Sequence, residues 1–296
     1  LTLTIIMAKS AFLKSSIAKK YWMALTGLFL CLFLVGHLLG NLQLLAGNNL
    51  EAALQFNKYA LFMTSNPAVK LLSYLTYISI IFHAIDGIYL AIQNKKARPV
   101  AYAMNNPSKN SSFSSRNMAV LGTLVLIFIA THMVNFWAKM HFDKNIPLQE
   151  ITVENNGQKV YFYVGTQPGQ FFPKDEATLK MQGFERRNIT EIYNKPANVK
   201  IGDTYKDLHK LTYAFFQSKG KLFNAIPNEG LFFTLFYVLS MAVLGFHLWH
   251  GFQSAFQSLG VNGKFTPAIK VFGKAFSVIV AVLFAIIPVY SHVMTK

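Results

Sequence analysis

Cysteine is almost missing from this chain. Cys31 is the one thiol in 296 residues, and it lies in an apolar run, which excludes disulfides, a cysteine-ligated zinc site and any iron–sulfur cluster held by this chain alone. Charge is also scarce: Asp, Glu, Lys and Arg make up 14% of the residues, against about one quarter in a soluble domain. Acids are rarer than bases, 12 against 28, and ten of the twelve fall between Lys139 and Gly230. No repeat of 20–50 residues is visible, which argues against solenoids and propellers. Leu1–Ile6, ahead of Met7, are too few for the core of a secretory signal and read as an upstream start.

What fills the space is apolar: 53% hydrophobic and 15% aromatic residues, the profile of one polytopic membrane domain. Five spans are expected, at about 21–45, 71–94, 117–138, 231–256 and 275–294, each long enough as a helix to cross a hydrocarbon core of ~30 Å. Helices are required because the spans lack the alternation of barrel strands, and backbone groups in lipid must be satisfied internally. The net charge of +16 comes from lysines flanking spans, a pattern of topology and not of nucleic-acid binding. Lys9, Lys14, Lys19 and Lys20 precede the first span; Lys95, Lys96, Arg98, Lys109 and Arg116 separate the second from the third; Lys264, Lys270 and Lys274 separate the fourth from the fifth. These stretches contain no acid, so the N-terminus is expected inside and the C-terminus outside.

The connection 139–230 is too long for a plain linker and is expected to fold as an outer insertion. Ile151–Val153 and Lys159–Val164 around Asn156-Gly157 predict a β-hairpin. Asp207–Phe216 has the spacing of an amphipathic helix lying on the membrane or the bundle. Asn105–Ser115, rich in Asn and Ser, reads as a loop.

Four histidines, His37, His83, His132 and His247, stand one to a span in the first four. A single intramembrane imidazole is ordinarily a hydrogen-bonded packing residue. Four distributed in this way are better explained by a shared ligand that needs nitrogen donors, because ionisable groups in hydrocarbon are costly. Span direction and helical rise set His37 and His132 toward the outer half and His83 and His247 at middle to inner depth. Each pair could hold one b-type haem through two imidazoles. Gly36 and Gly40 bracket His37, while Gly87 and Gly251 lie one turn past His83 and His247, and either helix packing or a macrocycle edge accounts for them. His250 competes with His247 as a ligand, but only His247 reproduces the His-x-x-x-Gly relation of His83. His141 and His209 read as solvated loop residues, and His292 as the outer end of the last span. Asp86, the one acid within a span, is a candidate for hydrogen bonding to an imidazole or for proton transfer, or else a protonated packing residue. Arg98, Arg116, Ser114 and Ser115 form an inner-face cluster fit for haem propionates or lipid headgroups. Asn41, Gln43 and Glu51 offer polar groups for a quinone, or simple capping and solvation, at the outer end of the first span.

With Lys20-Tyr21-Trp22-Met23-Ala24-Leu25-Thr26-Gly27, Gly36-His37-Leu38-Leu39-Gly40-Asn41, His83-x-x-x-Gly87 and Phe246-His247-x-x-x-Gly251, the chain resembles the dihaem cytochrome b subunit (cytochrome b558 family) of type-B succinate:quinone oxidoreductases. The resemblance covers nearly all the membrane portion. It implies an all-α integral membrane protein, a five-helix bundle of a bacterial cytoplasmic membrane. It also implies distal haem ligands on spans one and three and proximal ligands on spans two and four. Partners would be an FAD-bearing flavoprotein subunit and an iron–sulfur subunit on the inner face, with menaquinone as electron acceptor or donor and a higher oligomer of the complex open. The insertion at 139–230 departs from that family. Rival readings are a nitrate-reductase-type cytochrome, which concentrates its histidines on two helices, a cytochrome b561-like reductase, which usually has six spans, and a proton-coupled transporter using His83, Asp86 and His247.

Overall fold

The computed structural model describes residues 15–100, 104, 106–222 and 225–294; Leu1–Ile6, Lys9 and Lys14 lie outside them. In chain order the helices are α1 (Ser16–Leu42), α2 (Leu50–Ser65), α3 (Pro67–Lys96), α4 (Pro107–Asn110), α5 (Phe113–Arg116), α6 (Met118–His132) and α7 (Lys139–Phe142). They continue as α8 (Glu176–Met181), α9 (Leu208–Gln217), α10 (Glu229–Ser258) and α11 (Thr266–Val293). A 3-10 turn, Gln43–Ala46, extends α1, and a π-helical segment, Met133–Ala138, joins α6 to α7.

Five stretches, Ile17–Ala46, Pro67–Lys96, Met118–Phe142, Glu229–Ser258 and Thr266–Val293, are long and apolar enough to cross a membrane. Their outward side chains are large hydrocarbons, among them Leu32, Ile81, Leu239 and Val278. Water would not tolerate so much apolar surface on a monomer, and lipid would. Several hydroxyl groups within the spans are satisfied by their own helix: Thr76 donates to the Leu72 carbonyl at 2.9 Å, Thr123 to Ala119 at 2.9 Å and Ser240 to Phe236 at 2.7 Å. These back-bonds keep those three hydroxyl protons paired where they would otherwise face hydrocarbon.

The chain divides into two compact units. The first comprises Leu1–Leu39, Leu71–Ile129 and Phe236–Ile286, the second Gly40–Lys70, Ala130–Leu235 and Ile287–Lys296. In the first unit the segment read as a plain loop holds two helical turns. Ser112 caps α5 by accepting from the Ser115 amide at 3.3 Å, and the Arg116 guanidinium donates to the carbonyls of Pro107, at 2.9 Å, and Ser111.

The second unit contains the folded connection. Strands β1 (Glu150–Asn155), β2 (Gln158–Val164) and β3 (Phe171–Pro173) form one antiparallel sheet, and β4 (Phe184–Arg187), β5 (Glu191–Asn194) and β6 (Val199–Asp203) a second. The β1–β2 turn is Asn156-Gly157 with φ of 48° and 76°, the left-handed pair that a two-residue hairpin needs and that Asn-Gly supplies at least cost. Phe172, Leu179 and Ile192 form the core of this region, with Phe184 and Ile201 packed on them.

Helices α2 and α8 of the second unit were not foreseen. The 16-residue helix α2 fills the connection between the first two spans; Asn49 caps it by accepting from the Ala52 amide at 2.9 Å, with Glu51 in the first turn. A second correction concerns His209. Expected in solvent, it is 1% exposed, because α9 lies with His209, Thr212, Tyr213 and Phe216 turned inward. Its Nε2 donates to the Gly47 carbonyl at 3.0 Å, and the Tyr213 hydroxyl donates to the Leu44 carbonyl at 2.7 Å.

Candidate functional site

Three of the four span histidines, His37, His83 and His247, lie in the first unit, and His132 in the second. Within the first unit the structure brings His83 of α3 and His247 of α10 ring to ring, with centroids 6.2 Å apart and planes at 71°. Both imidazoles are partly buried.

The glycines that make room for these rings are on the neighbouring helices. A Cβ on Gly27 of α1 would meet Cε1 of His83 at 3.1 Å and Nδ1 at 3.6 Å, and one on Gly122 of α6 would meet Cε1 of His247 at 3.5 Å and Nδ1 at 3.8 Å. One turn away the relation inverts: Gly87 faces the Met23 methyl and Gly251 the Met118 methyl. Two antiparallel helix pairs, α1 with α3 and α6 with α10, therefore carry the same contact set. The sequence repeats with it. Met23-Ala24-x-x-Gly27, Phe33 and His37 recur at identical spacing as Met118-Ala119-x-x-Gly122, Phe128 and His132. A search for tandem periods of 20–50 residues misses this repeat because its copies lie 95 residues apart on spans one and three.

The environments of the two rings differ in one respect. His83 Nδ1 lies 3.2 Å from Thr26 Oγ1. His247 Nδ1 is buried with no hydrogen-bond partner among the described residues. A buried nitrogen left in this way costs about 1–3 kcal/mol and calls for an explanation.

The remaining candidates are distributed as follows. His37 stacks on Phe33, four residues earlier, at 5.4 Å, and approaches Phe284 at 5.7 Å. His132 packs on Phe136 at 5.4 Å, just where the π-helical segment begins, and Phe136 continues to Phe215 at 5.1 Å. His250 and Asp86 are partly buried; they occupy equivalent places, three residues after His247 and His83. Arg98 is exposed, and Arg116 is engaged with backbone carbonyls of its own loop. In the second unit Asn41 and Gln43 are partly buried and Glu51 is exposed. His141 is exposed, with Nδ1 2.8 Å from the Trp137 carbonyl, and His292 Nδ1 lies 2.6 Å from the Phe216 carbonyl.

Among the described residues no group of three or more His, Cys, Asp or Glu is placed to hold a bare metal ion. An iron that brings its own macrocycle asks the protein for only two axial ligands. Comparison with family models, curated proteins and solved structures finds no match to this chain.

Proposed function

We propose that this chain is a dihaem cytochrome b that anchors a succinate:quinone oxidoreductase in a bacterial cytoplasmic membrane. The observation that carries the reading is the His83–His247 pair, two imidazoles from different spans with centroids 6.2 Å apart. Two metal–imidazole bonds of about 2.0–2.1 Å together with the ring radii span roughly the same distance. The residues fit the group in three further ways. Neutral nitrogens are the donors low-spin haem iron takes, glycines on α1 and α6 keep the ring edges clear, and the surrounding spans are apolar and exclude water.

Bound there, a b haem supplies reversible one-electron transfer. The residues that would hold it are His83 and His247, with Gly27 and Gly122 leaving the rings free to orient and the surrounding apolar spans lowering the local dielectric. The second haem is assigned to His37 and His132 from the sequence, since each follows the repeated glycine by ten residues, about 15 Å of helical rise. Electrons enter from an iron–sulfur subunit, itself supplied by a flavoprotein with the dicarboxylate site, on the lysine-rich inner face. They leave to menaquinone near the outer pair, where Asn41, Gln43 and Glu51 are the polar candidates. Reversal of the same path reduces fumarate. The unbroken α3 and α10 around His83, Asp86 and His247 give no support to a transporter with interrupted helices.

A reduced-minus-oxidised spectrum and a pyridine haemochrome assay on the purified chain test the reading. Two low-spin b haems per chain are expected. One haem would remove the His37–His132 assignment, and none would remove the function.

A further inference from the structure

We propose that Thr26 is the positioning residue for His83, and that the two axial imidazoles of this site are unequal because α6 has no counterpart to it. The inference rests on the haem reading above. The Thr26 side chain is 7% exposed and its hydroxyl has one proton to give. That proton goes to the Trp22 carbonyl at 2.8 Å, the shortest of its contacts; the Met23 carbonyl and His83 Nδ1 are both at 3.2 Å. Toward His83 the oxygen is left as an acceptor. Nδ1 must therefore carry the proton, and the tautomer this selects exposes the Nε2 lone pair. In a neutral imidazole only the unprotonated nitrogen can ligate a metal. Thr26 thus sets His83 in its ligating form before any iron arrives.

The repeat supplies the internal control. Thr26 immediately precedes Gly27, and the residue immediately preceding Gly122 is Leu121, which is buried to the same degree at 6% exposed. Leucine accepts nothing, and His247 Nδ1 is the nitrogen left without a partner. An acceptor at Nδ1 makes the imidazole a more basic ligand and favours the oxidised metal. With a haem iron held here, the His83 side would stabilise the ferric state more than the His247 side.

Three variants of the full chain test this, read by haem content, spectroelectrochemical midpoint potential and the low-spin electron paramagnetic resonance signal. Thr26→Val is expected to keep both haems and to shift one midpoint potential positive, leaving the other in place. Thr26→Ser restores the hydroxyl and should return the potential toward the parent value, which a purely space-filling role would not do. Leu121→Thr adds the missing acceptor and should shift the same haem negative. An unmoved potential in Thr26→Val with haem retained, or Thr26→Ser behaving as Thr26→Val, overturns the proposal. If Thr26→Val does not assemble, Leu121→Thr decides: a negative shift supports the proposal and no shift overturns it. Failure of the haem reading is distinguishable, since the parent chain would then contain no haem b.

Discussion

Gly27 and Gly122 have equivalent neighbours but different margins, and the difference is testable residue by residue. A methyl group on Gly27 would press on His83 at 3.1 Å, while one on Gly122 would sit at an ordinary 3.5 Å from His247. Gly27→Ala is expected to lower haem occupancy or alter the spectrum of one haem, and Gly122→Ala to leave both bands near normal. Equal effects would mean that the glycines serve helix packing alone. The ring geometry also bears on the choice within α10, because the imidazole paired with His83 is His247. His247→Ala should abolish one haem's spectrum, whereas His250→Ala should keep both and at most shift a potential; the reverse result would reassign the ligand. Sequence alone picked out these histidines because an ionisable group stands out in a hydrocarbon run. The partners that distinguish His83 from His247 were invisible, since a threonine next to a glycine in a membrane helix looks like any other small residue.

Among the elements, α9 shows how a helix can be capped from far away in sequence. Asn57, 1% exposed, uses all the capacity of its amide: Nδ2 donates to Gln149 Oε1 at 2.6 Å and Asp207 Oδ1 at 2.8 Å, and Oδ1 accepts from the amides of Leu208 at 2.9 Å and His209 at 3.1 Å. Asp207 completes the cap by accepting from the Lys210 amide at 2.9 Å. Asn57→Leu leaves at least two buried groups unpaired, at about 1–3 kcal/mol each, and should raise hydrogen exchange across 208–217 while leaving the long helices protected. In the strand region, hydrogen bonds from the side chain and amide of Thr178 hold the Asp175 carboxyl below its usual range, as Asn188 and Lys200 do for Glu191. Depressed carboxylates stabilise the fold above their unfolded values, near pH 4, and that contribution is lost as pH falls through the folded ones. Asp175 is exposed and Glu191 partly so, and the effect is small: proteolysis of 150–203 should quicken modestly below about pH 4, and less so in Asp175→Asn. The Asn156-Gly157 hairpin was legible because left-handed backbone has a residue signature. Helix α2 was not, since its buried face depends on a partner 150 residues away. The π-helical segment after His132 adds a residue per turn without any compositional mark.

For the whole molecule, the five spans were legible from length and hydropathy, because lipid as a solvent imposes a single rule on every residue facing it. The division into two compact units was not, since it follows packing and cuts across the spans. Orientation remains a matter of charge. With Cys31 replaced by serine, a cysteine at exposed position 159 should react with a membrane-impermeant thiol reagent applied from outside, and one at position 96 should not. The opposite pattern would invert the topology and move the proposed docking face for partner subunits to the other side. The Asn57 cap also has a consequence for biogenesis. Asn57 and Asp207 are 150 residues apart, so at roughly 5–20 residues per second the ribosome needs about 8–30 s between making the first and the second. Through that interval two further spans must be inserted while α2 carries a polar side chain with no mate. Nascent chains arrested before residue 207 should show α2 open to protease and to chaperone crosslinking, and chains released beyond residue 217 should not.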